Sequence, residues 1–264
     1  MLVTIALAQI DIQFGLPSAN LAHVRQLATT AAAQGATLLV LPELWATGYD
    51  LQRAHILADP PGTGMFADLA ALAQEQQIAI AGSTLARRTD RPTNTATVYT
   101  ADGRLLATYD KLHLFGLMHE DDYLAAGTAL SIFDAPWGRS ALAICYDLRF
   151  PELFRTYALR GAQLIIIPAE WPLPRLEHWR TLIRARAIEN QCFVIGVNRV
   201  GTDPHNTFAG HSLVVDPWGE ILVEGGIEPE LLYATLDLSL TETIRTRIHV
   251  FADRRTDMYD PRTS

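Results

Sequence analysis

Three residues of this chain have side chains and positions suited to one reaction. Cys145 ends the apolar run Leu142-Ala143-Ile144, and Tyr146-Asp147-Leu148-Arg149-Phe150 then leads to Pro151, a residue suited to the first turn of a helix. The pattern predicts a strand, a tight turn and a helix, with the thiol at the mouth of a sheet beside backbone N–H groups that favour negative charge. Glu43 follows the apolar run 37–41, and Lys111 follows the β-prone run 104–109. Both therefore sit where strands give way to loops, the edge at which open α/β sheets place their sites. A thiolate attacking a carbonyl needs a base to take its proton and a fixed positive charge to hold the oxyanion that forms. Glutamate and lysine supply those two roles. Singly, each residue has a plainer reading: a small packed cysteine, a solvated glutamate, a lysine paired with Asp110 or Asp121. Their recurrence at strand ends is what points to chemistry.

The elements that must position them follow from periodicity. Residues 2–9 form an apolar strand, and 17–34 carry helical spacing through Leu21, Val24, Leu27, Ala28 and Ala31, with Gly35 as a stop. A strand at 37–41, a helix at 64–77 and a strand at 78–85 come next. Residues 95–100 and 104–109 flank Asp102-Gly103, a hairpin signal, and 116–127 read as an irregular loop. A second hairpin-like pair, 131–134 and 140–144, delivers Cys145. Helix 151–160, strand 163–167, helix 175–190 and strand 192–198 continue the alternation. A third hairpin pairs 208–215 with 220–223 around Asp216-Pro217-Trp218-Gly219, and 231–236 is the last strand. Interleaved elements with no linker-like break predict one α/β domain over residues 1–264, built on mixed sheets covered by helices. The segment 241–264, with Arg245, Arg247, Arg254 and Arg255, has too little apolar area to pack by itself, so it is expected to lie against another surface.

Composition narrows the partners. The chain has 264 residues, 49% of them hydrophobic and 19% charged, and a net charge of −8. That balance argues against a nucleic acid or an anionic membrane as partner, since both require a basic patch. Small neutral or anionic ligands fit if positive charge is gathered locally. With only two cysteines, Cys145 and Cys192, a disulfide framework is not expected, and both should be free thiols. The first nine residues lack the basic region of a signal peptide, and no stretch approaches the roughly 20 apolar residues that cross a bilayer. The expected location is the cytoplasm. Histidines 113, 119, 178 and 211 form no ligand motif, so no metal is expected, and no other cofactor is called for.

Leu41-Pro42-Glu43, Tyr109-Asp110-Lys111-Leu112-His113-Leu114-Phe115 and the segment 144–152 resemble the three signature segments of the nitrilase superfamily, the carbon–nitrogen hydrolases. They stand in that family's order. The likeness extends over segments 184–191, 214–219 and 253–255. It implies a four-layer αββα sandwich that forms dimers through helices beside the nucleophile turn, with the C-terminal segment reaching across to the partner. It also implies roles: Cys145 as nucleophile, Glu43 as general base, and Lys111 as oxyanion stabiliser together with the backbone N–H of Tyr146. Glu120, adjoined by Asp121 and Asp122, falls where the family places a second glutamate that orients substrate and lysine.

Within the superfamily, residues 111–115, 145–150 and 168–172 are most similar to the omega-amidase branch, which hydrolyses the terminal amide of small 2-oxo dicarboxylic acid monoamides and releases ammonia. Such a substrate keeps a free carboxylate, which calls for a cation. Arg149 is a candidate, its other reading being a salt bridge to Glu152 or Asp147. Trp171 and Phe115 are candidate pocket walls, and Cys192 is expected to serve packing. Hydrolysis of N-carbamoyl compounds or nitriles, and a non-catalytic binding scaffold, are the alternative functions.

Overall fold

The computed structural model describes residues 2–258. In chain order the first half runs β1 (Leu2–Gln9), α1 (Pro17–Ala33), β2 (Leu38–Val40), α2 (Ala54–Leu57), α3 (Met65–Gln76), β3 (Ala79–Ala86), β4 (Thr93–Tyr99) and β5 (Leu105–Asp110). A single helical turn, α4 (Glu120–Tyr123), interrupts the loop that follows. The second half runs β6 (Ile132–Ala135), β7 (Gly138–Leu142), α5 (Pro151–Leu159), β8 (Leu164–Ala169), α6 (Leu176–Asn190) and β9 (Phe193–Asn198). It closes with β10 (Val200–Thr202), β11 (Thr207–Ala209), β12 (Leu213–Val215), β13 (Ile221–Glu224), β14 (Glu230–Asp237) and α7 (Ser239–Arg247).

Two six-stranded sheets result, ordered β14-β1-β2-β3-β4-β5 and β6-β7-β8-β9-β12-β13, with β10 and β11 as a separate ribbon. Read in these directions the sheets repeat one series of pairings: antiparallel, parallel, parallel, antiparallel, antiparallel. No repeat is visible in the sequence; the symmetry lies in the chain path. Its consequence for the site is that β2 and β8 are counterparts, and their C-terminal ends carry Glu43 and Glu170 respectively.

Side-chain alternation along the strands creates the layers. Val3, Ile5 and Leu7 of β1 and Leu38 and Val40 of β2 enter the main core with Leu164, Ile166, Phe193 and Ile195 of the second sheet. Ala6, Ala8 and Leu39 point the other way, onto Val24, Ala28 and Ala31 of α1 and Leu69, Leu72 and Ala73 of α3. On the second sheet α6 packs so close to β9 that a Cβ at Gly196 would stand 2.6 Å from Trp179 Cζ2. The αββα sandwich implied by the signature segments is thus the observed architecture.

Two stretches differ from the sequence expectation in an informative way. Residues 208–215 are not one strand: Gly210 and His211 take left-handed φ values of +64° and +50°, which break the run into β11 and β12. Part of the charged C-terminal segment, α7, docks on its own chain, burying Thr241 and Ile244 while Arg245 Nη2 donates to the carbonyls of Ala162 (2.7 Å) and Asn190 (3.3 Å). Residues 259–264 of that segment lie outside the described residues. Among the described residues no helix is long and apolar enough to cross a membrane.

Candidate active site

The strand β7 ends two residues before Ile144, and Cys145 opens a 3₁₀ turn, Cys145–Arg149, that leads into α5. Cys145 has φ +44°, a conformation that costs a non-glycine residue about 1–3 kcal/mol. The carboxylate of Asp147 holds the turn. Its Oδ2 accepts from the Ile144 N–H (2.8 Å) and the Tyr109 hydroxyl (2.7 Å), and its Oδ1 accepts from the His113 N–H (3.0 Å) and His113 Nδ1 (2.6 Å). Asp147 is fully buried, and hydrogen bonds to a charged group are worth about 1.5–3 kcal/mol each, enough to offset the strain. The same carboxylate ties the nucleophile turn to the segment that follows Lys111.

Glu43 is turned inward by a second left-handed residue, Leu44 (φ +43°), whose N–H donates to Ser83 Oγ at 2.9 Å. Its Oε1 accepts from Asn94 Nδ2 (2.8 Å) and Lys111 Nζ (2.7 Å), and its Oε2 accepts from the Glu170 N–H (2.9 Å). Lys111 Nζ also donates to Glu120 Oε1 at 2.6 Å, and Glu120 is fixed by the Tyr49 hydroxyl (2.5 Å) and the Phe115 N–H (2.8 Å). Glu43, Lys111 and Glu120 all have 0% exposure, so solvent does not screen these contacts. Glu43, Lys111 and Glu120 are the charged groups that act on the Cys145 thiol.

The electrostatics follow from burial. Desolvation first, then the Glu43 charge, pushes the Cys145 thiol well above its ordinary pKa, so it rests protonated and needs a base to become a nucleophile. Burial would pull the Lys111 ammonium down, but Glu120, Glu43 and Cys145 together hold it well above its usual range, keeping it a cation. Burial raises the Glu120 carboxyl against the opposing pull of Lys111.

The sequence-predicted residues converge. Phe115, Cys145, Tyr146, Arg149 and Trp171 line one narrow pocket with Met118, Pro172 and Arg175. Lys111 pairs with Glu43 and Glu120, while Asp110 is taken by Arg88 at 2.8 Å. Arg149 pairs with neither Glu152 nor Asp147 among the described residues; it lies over the Trp171 ring at 4.9 Å and donates to His178 Nδ1 at 3.3 Å. Cys192 is buried away from this cluster, its thiol pushed up to about 12 by desolvation. A wider cleft of about 670 Å³, bounded by Tyr49, Asp50, His119, Asp203 and His205, shares Met118 with the pocket but contains none of the three reactive side chains. Sequence reasoning missed Asn94, Tyr49 and the holding roles of Asp147 and Glu170. Only Asp147, three residues after Ile144, the end of the apolar run, and so placed to cap the turn, carried a local signal.

The profile of the carbon-nitrogen hydrolase family matches residues 4–246. The chain is 44% identical over 257 residues to the 2-oxoglutaramate amidase of Bacillus subtilis (strain 168), covering 97% of this chain and 99% of that one. It is 35% identical over 265 residues to the Homo sapiens omega-amidase NIT2, covering 97% and 96%. A solved CN-hydrolase superfamily protein from Xanthomonas campestris, 31% identical, superposes with a TM-score of 0.91 over 98% of this chain and 100% of its own. That protein carries an arsenic adduct in its active site. A buried cysteine under the charges of a buried, paired glutamate and lysine thus accompanies end-to-end similarity of sequence and backbone, and this chain belongs to the carbon-nitrogen hydrolase family.

Proposed function

We propose that the protein is an omega-amidase, hydrolysing the terminal amide of a small 2-oxo dicarboxylic acid monoamide such as 2-oxoglutaramate. Glu43 takes the Cys145 proton as sulfur bonds to the amide carbon, and the carbonyl π pair moves onto oxygen. Lys111 Nζ and the Tyr146 backbone N–H receive that oxyanion. On collapse the C–N bond breaks, Glu43 passes its proton to the departing nitrogen, and ammonia leaves a thioester on Cys145. Glu43 then takes a proton from water, whose oxygen attacks the thioester; the C–S bond breaks, Glu43 returns that proton to the leaving sulfur, and the restored thiol releases the acid. Glu120, held by Tyr49, keeps Lys111 aimed at the oxyanion.

One observation supports an anionic amide above the other substrates of the family. Arg149 lines the Cys145 pocket with no carboxylate partner among the described residues, as a site for a substrate's free carboxylate requires. The names of the relatives from Bacillus subtilis and Homo sapiens agree with this reading. Ammonia release should be fastest with 2-oxoglutaramate and 2-oxosuccinamate in a panel that includes N-carbamoyl amino acids and nitriles. Activity confined to nitriles or carbamoyl compounds sinks the assignment.

The reading extends to a single-domain, cytoplasmic homodimer. Free thiols suit a reducing compartment, and Leu159 of α5, Ile188 of α6 and Ile248 after α7 are exposed apolar residues fit for a subunit contact. Sedimentation at micromolar concentration checks this; a species of only 29.1 kDa would refute the dimer.

A further inference from the structure

The pocket that holds Cys145 contains a second cation, Arg175, the residue immediately before α6. Both guanidinium groups lie over aromatic rings, Arg149 over Trp171 at 4.9 Å and Arg175 over Phe115 at 5.2 Å. A guanidinium over a ring keeps its in-plane N–H donors for other partners, of which Arg149 gives one to His178 Nδ1. Both arginines are half-buried, and among the described residues neither forms an ion pair with a carboxylate. The nearest acidic residue of the adjoining turn, Glu177, is engaged with Arg180 at 3.5 Å. In a chain whose net charge is −8, two half-buried arginines without anionic partners in the pocket of a reactive thiol are a local reversal of charge.

That reversal answers a problem set by the catalytic cluster. Glu43 and Glu120 against Lys111 leave the buried site with an excess of one negative charge when both carboxylates are ionised, so an anionic substrate is repelled from the place where it must react. A single arginine cancels that excess. A second makes the pocket attractive, and its fork of donors lets two oxygens of one carboxylate be held from two sides.

We infer that Arg175 is a specificity-determining residue, which together with Arg149 binds the free carboxylate of an amide substrate while the amide carbon lies at Cys145. The inference rests on the anionic-amidase reading above. Neutral amides present nothing for Arg175 to hold, so its contribution falls on anionic substrates alone.

Arg175→Met tests this, since methionine keeps an apolar stem on Phe115 and removes the charge. The Arg175 carbonyl that accepts from Trp171 Nε1 at 2.8 Å is main chain and is retained. Steady-state kinetics are compared for 2-oxoglutaramate and neutral butanamide, with inhibition by glutarate measured against whichever amide turns over. The KM for 2-oxoglutaramate should rise on the order of 10- to 100-fold with kcat within about threefold, while kcat/KM for butanamide stays within about twofold. Arg175→Lys, which keeps a charge and loses the fork, should fall between. The glutarate inhibition constant should rise by the same factor as the KM. An equal loss on both amides, or an unchanged glutarate constant, overturns the role of Arg175. If 2-oxoglutaramate is not a substrate at all but glutarate inhibition still weakens in Arg175→Met, the omega-amidase reading falls and the carboxylate site stands.

Discussion

Cys145→Ala should lower amide turnover by several orders of magnitude, and Cys192→Ser should leave it within about twofold of the parent. The contrast is sharp because the two thiols are both buried and differ in surroundings. The charges that act on Cys145 are Glu43, Lys111 and Glu120, whereas those that act on Cys192, at the opposite strand ends of the second sheet, are Arg245, Arg155 and Glu189. Alanine at 145 meets the same left-handed backbone demand that the cysteine already meets, because both carry a Cβ, so the fold should persist and the loss should report chemistry. Cys145→Ser should be nearly as inactive, as its hydroxyl is far harder to deprotonate than a thiol. Mass spectrometry of the parent quenched during turnover should find an acyl adduct on the peptide containing Cys145. Parent-like rates in Cys145→Ala would refute the covalent route.

Lys111→Met should cost the enzyme both stability and rate. It leaves Glu43 and Glu120 buried and facing each other with no cation, a defect worth about 3–5 kcal/mol in systems where one member of a buried ion pair is removed. It also removes a donor from the oxyanion, which lowers kcat by about 10²–10³ with a smaller change in KM, since the oxyanion exists only beyond the ground state. The two losses separate in the double variant Lys111→Met with Glu120→Gln. Removing one uncompensated charge should recover part of the urea midpoint while kcat stays low. A single variant within tenfold of parental kcat, or a double variant that regains activity with stability, would show that Lys111 serves the fold alone.

Much of this was legible in the sequence because the reactive side chains sit at element ends, where hydrophobic periodicity stops. The strand predicted at 2–9 is β1 to the residue, and the helices at 17–34, 64–77, 151–160 and 175–190 deviate only at their ends. Glu43, Lys111 and Cys145 stood out because each follows the end of an apolar or β-prone run. What escaped was whatever depends on contact across the fold. Tyr49 matters through Glu120, 71 positions away, and Asn94 through Glu43, 51 positions away. Nothing local to either residue announces such a partner. The break at Gly210 and His211 escaped for another reason: the β-prone residues on either side suggested one strand, although the interior Gly210 is the local mark of a break, and the pairing of β11 with β10 fixes where the first piece ends. Arg175 gave no signal because a charged residue at the start of an amphipathic helix is ordinarily a solvated one.

The pairing of β1 with β14 joins Leu2 to Asp237 and Gln9 to Glu230, so β1 is synthesised more than two hundred residues before one of its two neighbours. Until then its outer row of amide and carbonyl groups stays open, and the nascent chain carries a sticky flank while the intervening residues are made. Loop closure over more than two hundred residues is also slow compared with the local hairpins that form first. The nascent chain therefore offers that flank to edge-to-edge pairing until residues 230–237 arrive to seal it.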